Sequence, residues 1–133
     1  PYADLLGPGT HASTFGGTPL ACAVSLAVLG AIEREGLMAN ARSLGEYFAG
    51  KLRRLATECR LIKEVRGLGL MIGVELTVEA KPVIGKMIER GLLGIIAGTN
   101  VVRFLPPLNI TRADVDEAIA CLRVIVAACG ERP

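Results

Sequence analysis

A long uncharged segment constrains what this chain can fold into more than any other feature. No charged side chain lies between Asp4 and Glu33. Most of its second half, residues 19–32, is apolar around the whole circumference of a helix and is rich in alanine. A helix of this kind is buried on several sides. We therefore predict a buried helix over residues 19–35, in a fold that supplies apolar surfaces around it.

A loop rich in glycine and hydroxyl side chains precedes this helix. Ser13 and Thr14 can offer hydroxyl and backbone donors to an anion, and the Gly16-Gly17 pair lets the backbone turn tightly or approach a ligand closely. Thr18 followed by Pro19 is a typical helix start. An anion there would also meet the favourable end of the helix dipole. The alternative is that these residues only cap the helix.

The rest of the chain alternates between helical and strand periodicity, and no internal repeat or low-complexity tract is present. The predicted elements are an amphipathic helix over 37–58, strands over 61–65 and 70–76, a helix over 80–90, a hairpin of strands 92–96 and 101–105, and a helix over 112–129 ended by Gly130. Strands and helices segregated in this way indicate an α+β fold of two layers, with a short antiparallel sheet covered by helices on one face.

Composition excludes several function classes. Hydrophobic residues make up 51% of the chain, which is ample for a core. The net charge of +2 comes from scattered basic residues without interleaved aromatics, which disfavours nucleic-acid binding. The longest apolar run is too short to cross a membrane. The cysteines show no C-x-x-C spacing and His11 is the only histidine, so we expect no metal site and reduced thiols in a cytosol.

Three segments of the chain carry motifs in a defined order. Residues 13–22 read S-T-F-G-G-T-P-L-A-C, residues 65–75 read V-R-G-L-G-L-M-I-G-V-E, and residues 102–111 read V-R-F-L-P-P-L-N-I-T. They resemble, in the same order, the S-T-[FY]-G-G-x-P-L-A-C, R-G-x-G-L-M-x-G-x-E and [VI]-R-x-x-P-P-L-x-I-[ST] motifs of the class III aminotransferases that use pyridoxal 5'-phosphate (PLP). Small departures occur at Ala12 and Thr18, where glycine and asparagine are common.

The resemblance implies that this chain is the C-terminal portion of a longer enzyme. Residues 19–133 would form the small domain of a fold-type I PLP enzyme, with the long helix preceding its sheet. Residues 1–18 would be a loop that belongs to the large domain and the dimer interface. The parent would be a cytoplasmic homodimer acting on amino-acid and 2-oxo-acid substrates.

The subtype that the resemblance implies is acetylornithine aminotransferase, which transfers an amino group between N-acetylornithine and 2-oxoglutarate in arginine biosynthesis. This choice depends chiefly on residues 97–108. Ornithine and 4-aminobutyrate aminotransferases share the three motifs and remain alternatives. For the chain by itself, a non-catalytic folding or dimerisation module is the other alternative.

The resemblance also assigns binding roles. Thr14, with Ser13 beside it, would contact the cofactor phosphate of the neighbouring subunit. Arg103 would bind a substrate carboxylate, which suits its two-pronged guanidinium. Strand alternation independently places Arg103 opposite its apolar neighbours Val102 and Phe104. The alternatives are a turn-capping Thr14 and a surface ion pair for Arg103.

We predict no catalytic residue in this chain. The family's chemistry needs a lysine that forms a Schiff base with PLP and an acidic partner for the pyridine nitrogen, and both lie upstream of the first motif. The lysines of this chain do not resemble that lysine motif; they are Lys51, Lys63, Lys81 and Lys86. Arg66 is expected to order its loop, Glu75 to face solvent and His11 to lie in a loop or interface.

Overall fold

The structure, a computed structural model, describes Gly7, Gly9 and residues 13–130, except for the side chains of 129 and 130. The chain divides into two compact units, Pro1–Gly36 and Leu37–Pro133. The described part of the first unit comprises residues 13–18 and helix α1 (Pro19–Arg34). The second unit contains all the strands and the other helices. The predicted domain boundary at residue 19 refers to the parent protein and stays a prediction.

Helix α1 begins and ends as its sequence predicts. The Thr18 hydroxyl accepts a hydrogen bond from the backbone N–H of Ala21 at 3.4 Å, Pro19 occupies the first turn, and Gly36 adopts a φ of +61° just after the end. The prediction that α1 is buried on several sides is wrong for this chain, because no residue of α1 is buried. Leu20, for example, is 75% exposed. An all-round apolar pattern predicts a preference for burial, but it does not supply the covering surface.

The second unit confirms the predicted α+β class. Its elements in chain order are α2 (Leu37–Glu58), β1 (Ile62–Leu68), β2 (Met71–Leu76), α3 (Ala80–Glu89), β3 (Ile95–Ala97), β4 (Val101–Phe104) and α4 (Arg112–Gly130). The four strands form one antiparallel sheet in the order β1-β2-β4-β3. Helices α2 and α3 contact the strands, and α4 packs against both of these helices. The predicted 92–96/101–105 hairpin is present, although its first strand begins only at Ile95.

A mainly aliphatic core joins helices α2, α3 and α4 to one face of the sheet. The strands contribute alternate residues, which is why Val102 and Phe104 are buried on either side of Arg103. The rings of Phe48 and Phe104 lie 5.4 Å apart at their centroids. The apolar face of α2, which the sequence predicts to be an amphipathic helix, is buried from Ala41 to Leu55. Other fully buried side chains are Ile72 in the sheet, Met87 in α3, and Val115 and Ile125 in α4.

The β1–β2 hairpin is longer than its sequence pattern predicts, because Arg66 to Leu68 continue the pairing with β2. Gly69, with a φ of +54°, opens the two-residue loop between Leu68 and Met71. Helix α2 lies directly against this loop. A Cβ atom on Gly45 would stand only 2.1 Å from the Gly69 carbonyl oxygen. Glycine at position 45 is therefore what lets helix and hairpin approach.

A capping box begins α4. The Thr111 backbone N–H donates to Asp114 Oδ2 at 2.8 Å, and the Asp114 backbone N–H donates to Thr111 Oγ1 at 3.3 Å. The Thr111 hydroxyl also donates to Asp114 Oδ2 at 2.7 Å, and this bond, followed by the one from the Thr111 N–H, lowers the pKa of the Asp114 carboxyl. The prediction that Gly130 stops the helix is wrong, because Gly130 is still helical.

Candidate functional site

The loop before α1 holds its two hydroxyl residues differently. The Ser13 hydroxyl oxygen accepts a hydrogen bond from the Gly16 N–H at 3.0 Å, which closes a turn. Thr14 is exposed, and its hydroxyl makes no hydrogen bond with any described residue. Gly17 continues the turn with a φ of +77°. Ser13 therefore shapes the loop, and Thr14 presents a hydroxyl that a ligand can use.

The sheet face opposite the helices, here called the open face, carries most of the polar side chains of the strands. Its central row consists of Arg66, Gly73, Arg103 and Ile95, which lie directly opposite one another on four adjacent strands. Arg103 therefore points away from the core, as alternation predicts. The glycine between the two arginines leaves this part of the face without a side chain.

Arg103 has an unsatisfied buried donor. Its Nε atom is buried and has no hydrogen-bond partner, and the side chain makes no ion pair with any residue in the described ranges. A buried donor without a partner costs free energy comparable to a lost hydrogen bond. A carboxylate can satisfy it, because a guanidinium donates two parallel bonds to the two carboxylate oxygens. Arg103 is thus a carboxylate-binding candidate on geometry alone.

A cluster of four charged residues occupies the neighbouring part of the open face. Glu75 accepts from Lys63 Nζ at 2.5 Å and from Arg66 Nη1 at 2.7 Å, and Arg66 Nη1 also donates to Glu64 at 2.8 Å. Only 15% of the Glu75 side chain is exposed. Hydrogen bonds from Lys63 and then Arg66 lower the pKa of the Glu75 carboxyl from 4.5 to about 2. Glu75 is therefore ionised at any physiological pH.

A β-bulge assembles this charged cluster. The register of β1 against β2 slips between Ile62 and Glu64, so that Lys63 is the extra residue. A bulge re-aims a side chain and leaves one residue unpaired. Here it brings both Lys63 and Glu64 beside Glu75. Sequence reasoning missed the cluster, because a bulge is not visible in the alternation of β1.

The residues singled out from the sequence occupy different places. Ser13 and Thr14 are neighbours in the first unit, and Arg103 lies in the second unit. The expected loop-ordering role of Arg66 is replaced by two ion pairs within the sheet. Glu75 lies on the open face but is mostly covered and paired, so the expectation that it faces solvent is wrong. His11 lies outside the described residues.

Among the described residues, no group of His, Cys, Asp and Glu side chains could hold a metal ion. No helix of the described part of the chain is long and apolar enough to cross a bilayer.

Comparison with known proteins decides the family. The family described as "Aminotransferase class-III" matches residues 2–126. This chain belongs to the class III aminotransferases. Ornithine aminotransferase from Staphylococcus carnosus is 46% identical over 92% of the chain, and acetylornithine aminotransferase from Caldanaerobacter subterraneus subsp. tengcongensis is 44% identical over 86%. The chain spans about 30% of the length of each.

A solved structure supports the same assignment. The ornithine aminotransferase from Toxoplasma gondii, crystallised with oxidised glutathione, is 40% identical and superposes with a TM-score of 0.80 over 94% of this chain and 30% of its own length. That structure shows partial occupancy of PLP at its active site. The α+β fold of this chain is thus shared with a class III aminotransferase of known structure.

Proposed function

We propose that the protein containing this chain is a PLP-dependent aminotransferase that transfers an amino group between N-acetylornithine and 2-oxoglutarate in arginine biosynthesis. Ornithine is the alternative amino donor, and the 46% identity to an ornithine aminotransferase favours keeping it. The chain would supply binding groups to a site whose catalytic lysine lies elsewhere in the protein. The single observation that carries the proposal is the buried, unpartnered Nε of Arg103 on the open face.

Arg103 would bind the carboxylate that every amino-acid and 2-oxo-acid substrate carries. Its stem is fixed because its strand neighbours Val102 and Phe104 are anchored in the core. The absent side chain at Gly73 leaves room for a ligand over the neighbouring strand. A guanidinium held in this way orients the substrate by two parallel hydrogen bonds and costs little ordering entropy on binding.

The residues of the first unit suit the phosphate of PLP. The Thr14 hydroxyl bonds to no residue that the structure describes and lies just before the N-terminus of α1, where the helix dipole favours an anion. Ser13 holds the turn that presents it. PLP, when bound, supplies the electron sink that amino-group transfer needs. In this proposal Thr14 and Ser13 only hold the phosphate.

Lys51 and Lys63, which form ion pairs with carboxylates, are poor candidates for a covalent bond to PLP. The hydrogen bond from Lys51 to Asp116, and that from Lys63 to Glu75, raise the pKa of each amine. A Schiff base forms from the neutral amine, so a raised pKa opposes it. We expect the isolated chain, mixed with PLP and borohydride, to give no stoichiometric adduct at a single lysine. One such adduct would contradict the assignment of catalysis to the rest of the protein.

The exposed apolar side chains of α1 support the proposal of a homodimer. Leu20, Leu26 and Leu29 are each more than half exposed in this chain. An apolar surface of this kind is normally covered by another part of a protein or by a partner. The remainder of the parent and a second subunit are the covering surfaces that we propose.

A crossed pair of variants in the full-length protein tests the two binding roles. Arg103→Lys keeps the charge but loses the two-pronged geometry, so the KM for 2-oxoglutarate should rise while PLP retention changes little. Thr14→Ala should speed PLP dissociation and leave the KM nearly unchanged at saturating PLP. If both variants lose only thermal stability and keep parental affinities, both assigned roles are wrong.

A further inference from the structure

The open face places an internal carboxylate within reach of Arg103. Glu75 lies two residues beyond Gly73 on β2, so it is the diagonal neighbour of both cross-strand partners of Gly73, which are Arg66 and Arg103. Diagonal neighbours of this kind lie about 7–8 Å apart at the backbone, within reach of long side chains. Arg66 spans such a diagonal and bonds to Glu75 at 2.7 Å. Arg103 has the same side chain at the corresponding position on the other neighbouring strand.

Arg103 nevertheless forms no ion pair with Glu75. Its Nε is unsatisfied, while both oxygens of Glu75 are engaged, Oε1 by Lys63 and Oε2 by Arg66. The Coulomb attraction between an ionised Glu75 and Arg103 is therefore offset by two closer cations. A glutamate carboxyl of ordinary pKa is ionised near neutral pH, so Glu75 would compete with the substrate for Arg103 if those cations were absent.

We propose, on the basis of the proposed substrate-binding role of Arg103, that Lys63 and Arg66 are positioning residues that hold Glu75 away from Arg103 and so keep this arginine available for the substrate carboxylate. The β-bulge at Lys63 is then part of the site, because it brings the second cation to Glu75. Neither Lys63 nor Arg66 touches the substrate in this proposal. Their effect reaches it only through Glu75.

The test uses full-length protein and steady-state kinetics with 2-oxoglutarate. The variant Lys63→Gln/Arg66→Gln releases Glu75 and should raise the KM for 2-oxoglutarate about 3–10-fold, with kcat changed less than twofold. Adding Glu75→Gln removes the competing carboxylate and should restore the parental KM. Adding Glu64→Gln to the double variant instead removes the other negative charge of the cluster but leaves Glu75 ionised, so the KM should stay high.

Further variants separate the possible failures. Arg123→Gln removes another arginine of an exposed ion pair, that with Glu58, and should leave the KM unchanged. An unchanged KM in Lys63→Gln/Arg66→Gln, or a raised KM that Glu64→Gln restores as well as Glu75→Gln, would overturn this inference. Arg103→Lys in the same assay tests the proposed function: if it leaves the KM at the parental value, that function fails. If it raises the KM while the other variants do not, only the inference fails.

Discussion

The two faces of the sheet are built by the same strands but are held together by different physics. On the face towards the helices, Val102 and Phe104 are 2% and 4% exposed and pack in an aliphatic core. On the open face, Arg103 stands between them in sequence and carries an unsatisfied buried donor. The first face gains free energy from burial. The second keeps a polar group unsatisfied, which costs free energy unless something binds it.

This difference shows where a binding site can lie in a small domain. The core fixes the backbone of β4, and the strand alternation then fixes the direction of Arg103. A guanidinium presented by a rigid strand needs little reorganisation when it binds a ligand. On the open face, the charged side chains of the cluster around Glu75 pair with one another. Of the three cations on this face, Lys63, Arg66 and Arg103, only Arg103 lacks a carboxylate partner among the described residues.

The largest expected effect is a difference in stability between variants of two adjacent residues, Phe104 and Arg103. Phe104→Ala should lower the free energy of unfolding by about 3–5 kcal/mol, because it leaves a cavity beside Phe48. Arg103→Met keeps an apolar stem and removes the buried unpaired Nε, so the change should stay within about 1 kcal/mol. Urea unfolding of the 133-residue chain measures both. Equal losses in the two variants would mean that Arg103 is a structural residue.

A smaller effect is expected for two glycines of α2. Gly45→Ala forces a Cβ into the Gly69 carbonyl and should cost about 1–3 kcal/mol or more. Gly50→Ala has open space around the new methyl group and should stabilise the helix by about 0.5–1 kcal/mol. The same unfolding experiment compares them. A stabilising Gly45→Ala would show that helix and hairpin are not in contact.

The smallest effect concerns the pH dependence of the open face. The pKa of Glu75 is lowered in the folded chain, so its ion pairs stabilise the fold above pH 4.5 and lose that contribution as the pH falls from 4.5 to about 2. Glu75→Gln should therefore flatten the acid limb of stability in this window. Glu46→Gln, on the exposed face of α2, provides the control for the loss of one negative charge. An unaltered limb in Glu75→Gln would contradict the ion-pair assignment.

The sequence predicts much of this fold because its patterns are local. The bounds of α2 follow from its amphipathic stripe, and the alternation in β4 is enough to orient Arg103. The charge cluster around Glu75 does not follow, because it depends on a register slip between two strands. The exposure of α1 does not follow either, since periodicity describes a helix and not what covers it. The site roles of Ser13 and Thr14 remain predictions that depend on the family resemblance, and that of Arg103 remains a prediction that is also supported by its buried, unpartnered Nε.

The most direct measurement for the central claim couples Arg103 to the substrate carboxylate itself. The full-length protein and its Arg103→Met variant would each be assayed with the amino donor and with an analogue that has a carboxamide in place of the α-carboxylate. We expect the parent to prefer the carboxylate by roughly 10- to 100-fold in kcat/KM, as is usual for a charge-assisted pair, and the variant to lose most of this preference. The same preference in both proteins would contradict the assignment of Arg103 as the carboxylate-binding residue.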